Sequence, residues 1–377
     1  MADEMRALTR LAVEELHEAT GGIGAVHRAI ADRAFVGRGA SKALHDGIAG
    51  AVYAAVRGGM TVAGRAADAS LAVRERREVP PALLGVLNGL RGDALEREGS
   101  PLALGMTAEG GEASPRLAVF VHGLFETELA WRYGGGPTYG ERLAADHDLA
   151  PVHVRYNSGR HVSENGRLLA DLLAAWPHPL EHVVLVGHSM GGLVARSACH
   201  IAGERSDDWV RHVTHVVSLG SPHTGAPLES AVHYAAAALG VLPETKPFAR
   251  GLRRRSAGIR DLRRGSLVDE DWRDRDPEAL RAAACREVPL LGGVTHCFVA
   301  ATITSNPRHP VARVLGDWLV LEASASHRAQ QSLHVGGAHH LALLNHPQVY
   351  ARLSEWLATA PQRALPATPW SPRAQAS

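Results

Sequence analysis

Residues 182–198, HVVLVGHSMGGLVARSA, join an apolar strand pattern to a helical one through a serine set among three glycines. The strand run ends at Val186. Gly187-His188-Ser189-Met190-Gly191 follows at once, then a third glycine, Gly192. A serine on so tight a strand-to-helix turn presents its hydroxyl above the sheet edge, and glycines flank it because side chains there would strike neighbouring backbone. The helix behind aims its N-terminal amides and the positive end of its dipole at the same place, which suits an oxyanion. The competing reading is a glycine-rich turn that binds phosphate or merely packs. Strand before, helix behind and Gly192 favour the nucleophile. Such a turn calls for a strand before it and a helix behind it, so it constrains the fold as well as the chemistry.

The rest of the chain agrees. LALGM (102–106), RLAVFV (116–121), PVHVRY (151–156), HVTHVVSLG (212–220), THCFVAATI (295–303) and QSLHV (331–335) are short apolar runs of the kind buried strands show. Helical stretches such as ENGRLLADLLAAW (164–176) and MGGLVARSACHIAG (190–203) separate them. Strands alternating with helices predict an α/β protein with a mostly parallel sheet covered on both faces. Before it, Met5, Leu8, Leu11 and Leu16, and again Leu44, Ile48, Val52 and Val56, recur near the helical period, predicting a helical extension over 1–95. The main domain is expected over 100–360, with a helical, lid-like insertion at 226–292 and a disordered tail over 361–377. Within the insertion, KPFARGLRRRSAGIRDLRR (246–264) sets eight Lys and Arg against one Asp. The plainer expectation for it is a solvated helix face; the sharper is a lid whose basic side meets an anionic surface or substrate.

Composition narrows the function classes. A net charge of +1 over 377 residues gives no field that would draw nucleic acid. Cys199, Cys285 and Cys297 are odd in number and lack C-x-x-C spacing, which argues against a disulfide framework and for a reducing compartment. The acidic start, MADEMRALTRLAVEELHE, is unlike a secretory signal. The apolar stretch 47–64 is broken by Arg57 and is too short to span a bilayer. A cytoplasmic protein without a transmembrane segment is expected.

GHSMGGLVAR resembles the nucleophile elbow of α/β-hydrolase lipases and esterases. VFVHGLFET, RYNSGRHVSENGR, LGSPHTGAP, SAGIRDLRRGSLVDEDW, GDWLV and HHLALLNHPQVY extend the similarity to bacterial lipase-like proteins grouped near the GPI inositol-deacylases, over roughly residues 100–357. The resemblance implies an α/β-hydrolase fold and a serine hydrolase acting on carboxylic esters, acyl lipids among them. Two other expectations stand beside it: an acyltransferase using the same groups, and a scaffold that binds a lipid surface or a partner through the N-terminal helices and the basic segment.

A serine nucleophile needs two amide donors for the oxyanion. Met190, the residue after the serine, supplies one. The run VFVHG ends an earlier strand at His122-Gly123, and in similar lipases the next residue, here Leu124, gives the other. Phe125 and Trp131 are expected either to wall an acyl pocket or simply to pack. Chain order puts the acid between Ser189 and the late histidines. Asp317, after Gly316 and before an apolar run, sits where similar lipases carry theirs in G-D-x-(L/V)-V; Glu322, Asp269 and Asp271 are its rivals. HVGGAHHLALLNHP (334–347) holds four histidines. His334 falls within the last strand and His346 caps the helix that Pro347 opens. His339 and His340 remain, and spacing alone barely separates them. The pattern of related lipases implies His340. Vicinal histidines point apart and no acid lies at ligand spacing, so neither a metal nor a cofactor is expected.

Overall fold

The computed structural model describes residues 2–34, 42, 46, 49–50, 79–111, 113–225, 254–277, 279, 284–302, 304 and 331–359. Asp317, Glu322, most of the helix expected around Leu44 to Val56, about half of the lid-like insertion (226–253, 278 and 280–283) and the tail lie outside them. The described strands are β1 (Thr107–Glu109), β2 (Arg116–Val121), β3 (Ala150–Arg155), β4 (His182–His188), β5 (Val213–Leu219), β6 (Thr295–Thr302) and β7 (Gln331–Gly336). The described α-helices are α1 (Ala2–Ala34), α2 (Pro81–Arg97), α3 (Tyr139–His147), α4 (Val162–Ala174), α5 (Met190–Arg205), α6 (Ala257–Leu262) and α7 (Pro347–Ala358).

The strands form one sheet in the order β1-β3-β2-β4-β5-β6-β7, with β1 antiparallel at one edge and every other pair parallel. Helices cover both faces, as the continuous apolar runs require. Leu117, Val119 and Val121 of β2 point one way, into a core shared with Leu169 of α4 and Leu193 of α5; Ala118 and Phe120 point the other way, towards Leu143 of α3 and Leu353 of α7. LALGM does not form the expected strand. Leu102 is buried instead in a satellite cluster with Leu11, Val79 and Leu95, and the sheet's edge strand begins five residues later at Thr107.

The chain leaves β2 for β3 on one side, then crosses back over β2 through α4 to enter β4 on the other. That reversal opens a crevice beyond the carboxyl ends of β2 and β4, where open α/β sheets bind ligands. Among the described residues no helix is long and apolar enough to cross a membrane.

Two strand histidines, half-buried His182 and buried His296, carry a pH signature. Burial, helped by the Arg116 charge, pushes His182 down to about 4; burial and the Arg196 charge do the same to His296, also to about 4. The unfolded chain takes up these protons near pH 6.5. The folded protein therefore binds fewer protons between pH 6.5 and 4, and stability falls as pH drops through that window. Thermal unfolding across it should show Tm declining, with a shallower decline in His296→Gln, whose amide can still donate to the Leu291 carbonyl that His296 Nε2 faces at 3.3 Å. An unchanged slope in the variant would refute the assignment.

Candidate active site

β4 runs straight into α5, and the residue between them, Ser189, has φ 52° and ψ −122°. Few L-residues sit there; holding one costs on the order of 1–3 kcal/mol and persists only where the surroundings enforce it. Here they do. The Ser189 N–H donates to the Leu219 carbonyl at 2.8 Å, and the Gly192 N–H returns to the Ser189 carbonyl at 3.2 Å. Gly191 lets α5 approach the end of β2: a methyl there would overlap the Val121 carbonyl oxygen and lie 2.6 Å from that of His122. Ser189 itself stays partly exposed, while Met190, the first residue of α5, is buried behind it.

The turn after β2 lies against this serine. A methyl on Gly123 would stand 3.0 Å from Ser189 Cβ. The turn is fixed from below by His122, which is fully buried. Its Nε2 accepts the Tyr156 N–H at 3.3 Å, so its proton sits on Nδ1 and goes to the Gly123 carbonyl at 2.8 Å. Burial holds the ring below its ordinary pKa, in keeping with a neutral tautomer. The Tyr156 hydroxyl donates to the His122 carbonyl at 2.7 Å, and the two rings stack at 4.2 Å. Half-buried Leu124 follows, then Phe125 at φ 66°. α2 rests on this turn with a face of three glycines: Gly85 meets the Phe125 and Glu126 carbonyls, Gly89 meets the Phe125 ring, and Gly92 meets Asn157. The Asn157 amide donates to the Gly92 carbonyl at 2.9 Å.

His340 comes to the same corner from the far end of the chain. It opens a 3-10 turn (His340–Asn345) after β7 and is 4% exposed. A Cβ on Gly220, the residue after β5, would lie 3.0 Å from its Cε1 and 3.1 Å from its Nδ1. Its ring centroid is 4.7 Å from that of His188, the residue before the serine. His339 points away: it is exposed and meets Tyr133 edge-on at 6.3 Å. His334 faces the Thr302 hydroxyl at 2.9 Å, and His346 caps α7 by accepting the Gln348 N–H. Thus Ser189, Met190, Leu124 and His340 gather beyond the ends of β2, β4 and β5. The fifth expected group, Asp317, lies outside the described residues.

Two of its rivals are committed elsewhere. Asp269 accepts from the Ser163 hydroxyl at 2.6 Å and Arg167 at 2.8 Å; Asp271 accepts the Leu267 and Arg286 amides at 2.9 and 2.6 Å. The described part of the insertion is docked rather than free. Asp261 in α6 accepts the Val162 N–H at 2.8 Å, and the Ser256 hydroxyl donates to the Gly89 carbonyl of α2 at 2.6 Å. Trp131 packs edge-on to Phe120 at 5.0 Å and is core; Phe125 is exposed. Among the described residues no group of three or more His, Cys, Asp or Glu is arranged to hold a metal ion.

Sequence reasoning missed one pair. Glu126 lies 3.0 Å from His188 Nδ1 and takes the Gly123 N–H at 2.6 Å. Burial would raise its carboxyl; the His188 charge and the hydrogen bonds from His188 and Gly123 outweigh this and hold it below the usual range. Its only signal in the sequence was an acid three residues beyond His-Gly.

The PGAP1-like alpha/beta domain family matches residues 156–241, a span that includes the serine turn and Gly220. No curated protein matches the chain. Among solved structures, the mature lipase BlEst2 of Bacillus licheniformis is 18% identical, covering 67% of this chain and 97% of its own, at a TM-score of 0.46. A lipase-esterase related protein from Clostridium acetobutylicum is 15% identical over 67% of this chain and 98% of its own, at 0.37. Esterase PF2001 of Pyrococcus furiosus is 12% identical over 67% and 86%, at 0.35. The superpositions are loose and have no bearing on which residues do chemistry.

Proposed function

We propose, from an α/β-hydrolase fold as the premise, that this chain is a serine hydrolase that cleaves carboxylic esters, with acyl lipids or comparable apolar acyl esters as substrates. The observation that carries the proposal is the strained backbone of Ser189 at the end of β4, with the His340 imidazole packed on Gly220 beside it. Ser189 Oγ attacks the acyl carbonyl carbon while His340 takes its proton. The negative charge moves to the carbonyl oxygen, held by the Leu124 and Met190 amides. The tetrahedral intermediate collapses, and the imidazolium protonates the departing alcohol. Water then attacks the acyl-enzyme by the same route and frees the acid. Asp317 is the proposed acid that fixes the imidazole tautomer. The mechanism calls on no metal or organic cofactor. The unpaired Cys199, Cys285 and Cys297 fit a reducing cytoplasm, and the basic segment 246–264 fits peripheral contact with an anionic lipid surface.

The test pairs a fluorophosphonate with a ladder of nitrophenyl esters from acetate to palmitate. Turnover of at least one ester is expected, abolished by a phosphonyl adduct that peptide mapping finds on Ser189. Ester turnover that survives complete adduct formation, or an adduct on another residue, would refute the assignment; the best-cleaved chain length reports the substrate class.

A further inference from the structure

His188 has a side chain with no exposed surface, and its two ring nitrogens both face acceptors. Nδ1 lies 3.0 Å from one Glu126 carboxylate oxygen and 3.1 Å from the other. Nε2 lies 3.3 Å from the backbone carbonyl of His340. A carboxylate and a carbonyl only accept, so a proton on each nitrogen, and hence an imidazolium, is the state that satisfies both contacts. His122, one strand away, shows the contrast: one of its nitrogens faces a donor and the other an acceptor, the pattern of a neutral ring. A buried imidazolium persists only against a compensating charge, and Glu126, with a side chain 13% exposed, provides it. Among the described residues, the ionisable groups that also face the pair include His122, from the turn after β2, and the His340 ring, from the loop after β7.

We propose that Glu126 and His188 form a charged positioning pair whose hydrogen-bonded chain ties the oxyanion turn to the base-bearing loop across the nucleophile. The chain runs from the Gly123 N–H to Glu126, from His188 to Glu126, and from His188 to the His340 carbonyl. Its members stand 62 and 152 residues apart in sequence, so it joins three loops that the sheet alone leaves at three strand ends. Neither residue touches the reacting atoms. Their work is to hold the Leu124 amide and the His340 imidazole in register with Ser189, and misplacing such groups by about 1 Å costs on the order of 100-fold in rate. The effect on turnover rests on the serine-hydrolase reading; the charge state of His188 does not.

Two readouts test it. Nitrogen NMR of the histidine rings, with His188 identified by the signals lost in His188→Gln, should show both ring nitrogens protonated near neutral pH. In Glu126→Gln the ring should carry one proton, since the amide N–H then donates to Nδ1. In Glu126→Ala, kcat should fall roughly 10- to 100-fold with KM within about twofold, and Glu126→Gln, which keeps an acceptor for Gly123, should recover most of the loss. A neutral His188 in the wild type, an alanine variant with wild-type kcat, or a loss confined to KM would overturn the proposal. Should the alanine variant fail to fold, the ring signals of the wild type and of Glu126→Gln decide alone. Ester turnover that Ser189→Ala leaves intact would sink the hydrolase reading while the ring signals still settle the pair.

Discussion

Replacing Ser189 with Ala should remove at least about a thousandfold of ester turnover and all fluorophosphonate labelling, with little change in Tm. On the proposed mechanism the chemistry loses its nucleophile outright, and no neighbouring hydroxyl occupies the same strained turn. The fold loses little because alanine keeps the Cβ and both backbone hydrogen bonds that pin residue 189, to Leu219 and from Gly192. The strain at φ 52° is a backbone cost that serine and alanine share. Purified variant compared with wild type on the best ester, alongside thermal unfolding, makes the measurement. Turnover within tenfold of wild type would mean that Ser189 is a structural turn residue and the nucleophile lies elsewhere.

The paired variants His340→Ala and His339→Ala should split by a similar margin. His340 is buried against Gly220 and beside His188, the residue before the serine, so its loss removes the proposed proton acceptor, and kcat should fall about a thousandfold or more. His339 is exposed and, among the described residues, meets the Tyr133 ring edge-on, so its alanine variant should stay within about threefold, the range of surface substitutions. Steady-state kinetics on both, side by side, is the check. The reverse order of losses would move the base to His339 and require the loop to turn over on binding substrate.

The sheet was largely legible because its strands are covered on both faces. A strand with helices above and below shows as an unbroken apolar run, and RLAVFV coincides with β2 while the HVVLV run lies within β4. Where that condition fails, so does the signal. β1 is a three-residue edge strand with its outer residues exposed, and no apolar run marks it. Leu102 looked like strand because it is buried, but its partners are Leu11 and Leu95 of two N-terminal helices and Val79 just ahead of α2. At the proposed site, the positions of Ser189, Met190 and Leu124 beyond the strand ends were readable because local backbone sets them: each follows a strand end within three residues. His340 and His339 differ by one position, and what separates them is burial against Gly220, a contact across more than a hundred residues that no local pattern encodes. Glu126 and His188 hid for the same reason. Each looks ordinary in its own segment, and only the parallel order of β2 and β4 brings them together.

The glycine face of α2 has a consequence for what counts as the working body of the molecule. Composition draws a line near residue 100 and leaves everything before it as an appendage. The packing draws it at Pro81 or earlier. A polypeptide started near residue 100 would still encode the whole sheet and every group proposed for the chemistry, yet Asn157 and the inner side of Phe125 would lose the helix backbone that now supports them. The segment that resembles packaging is the bench on which the turn after β2 was set.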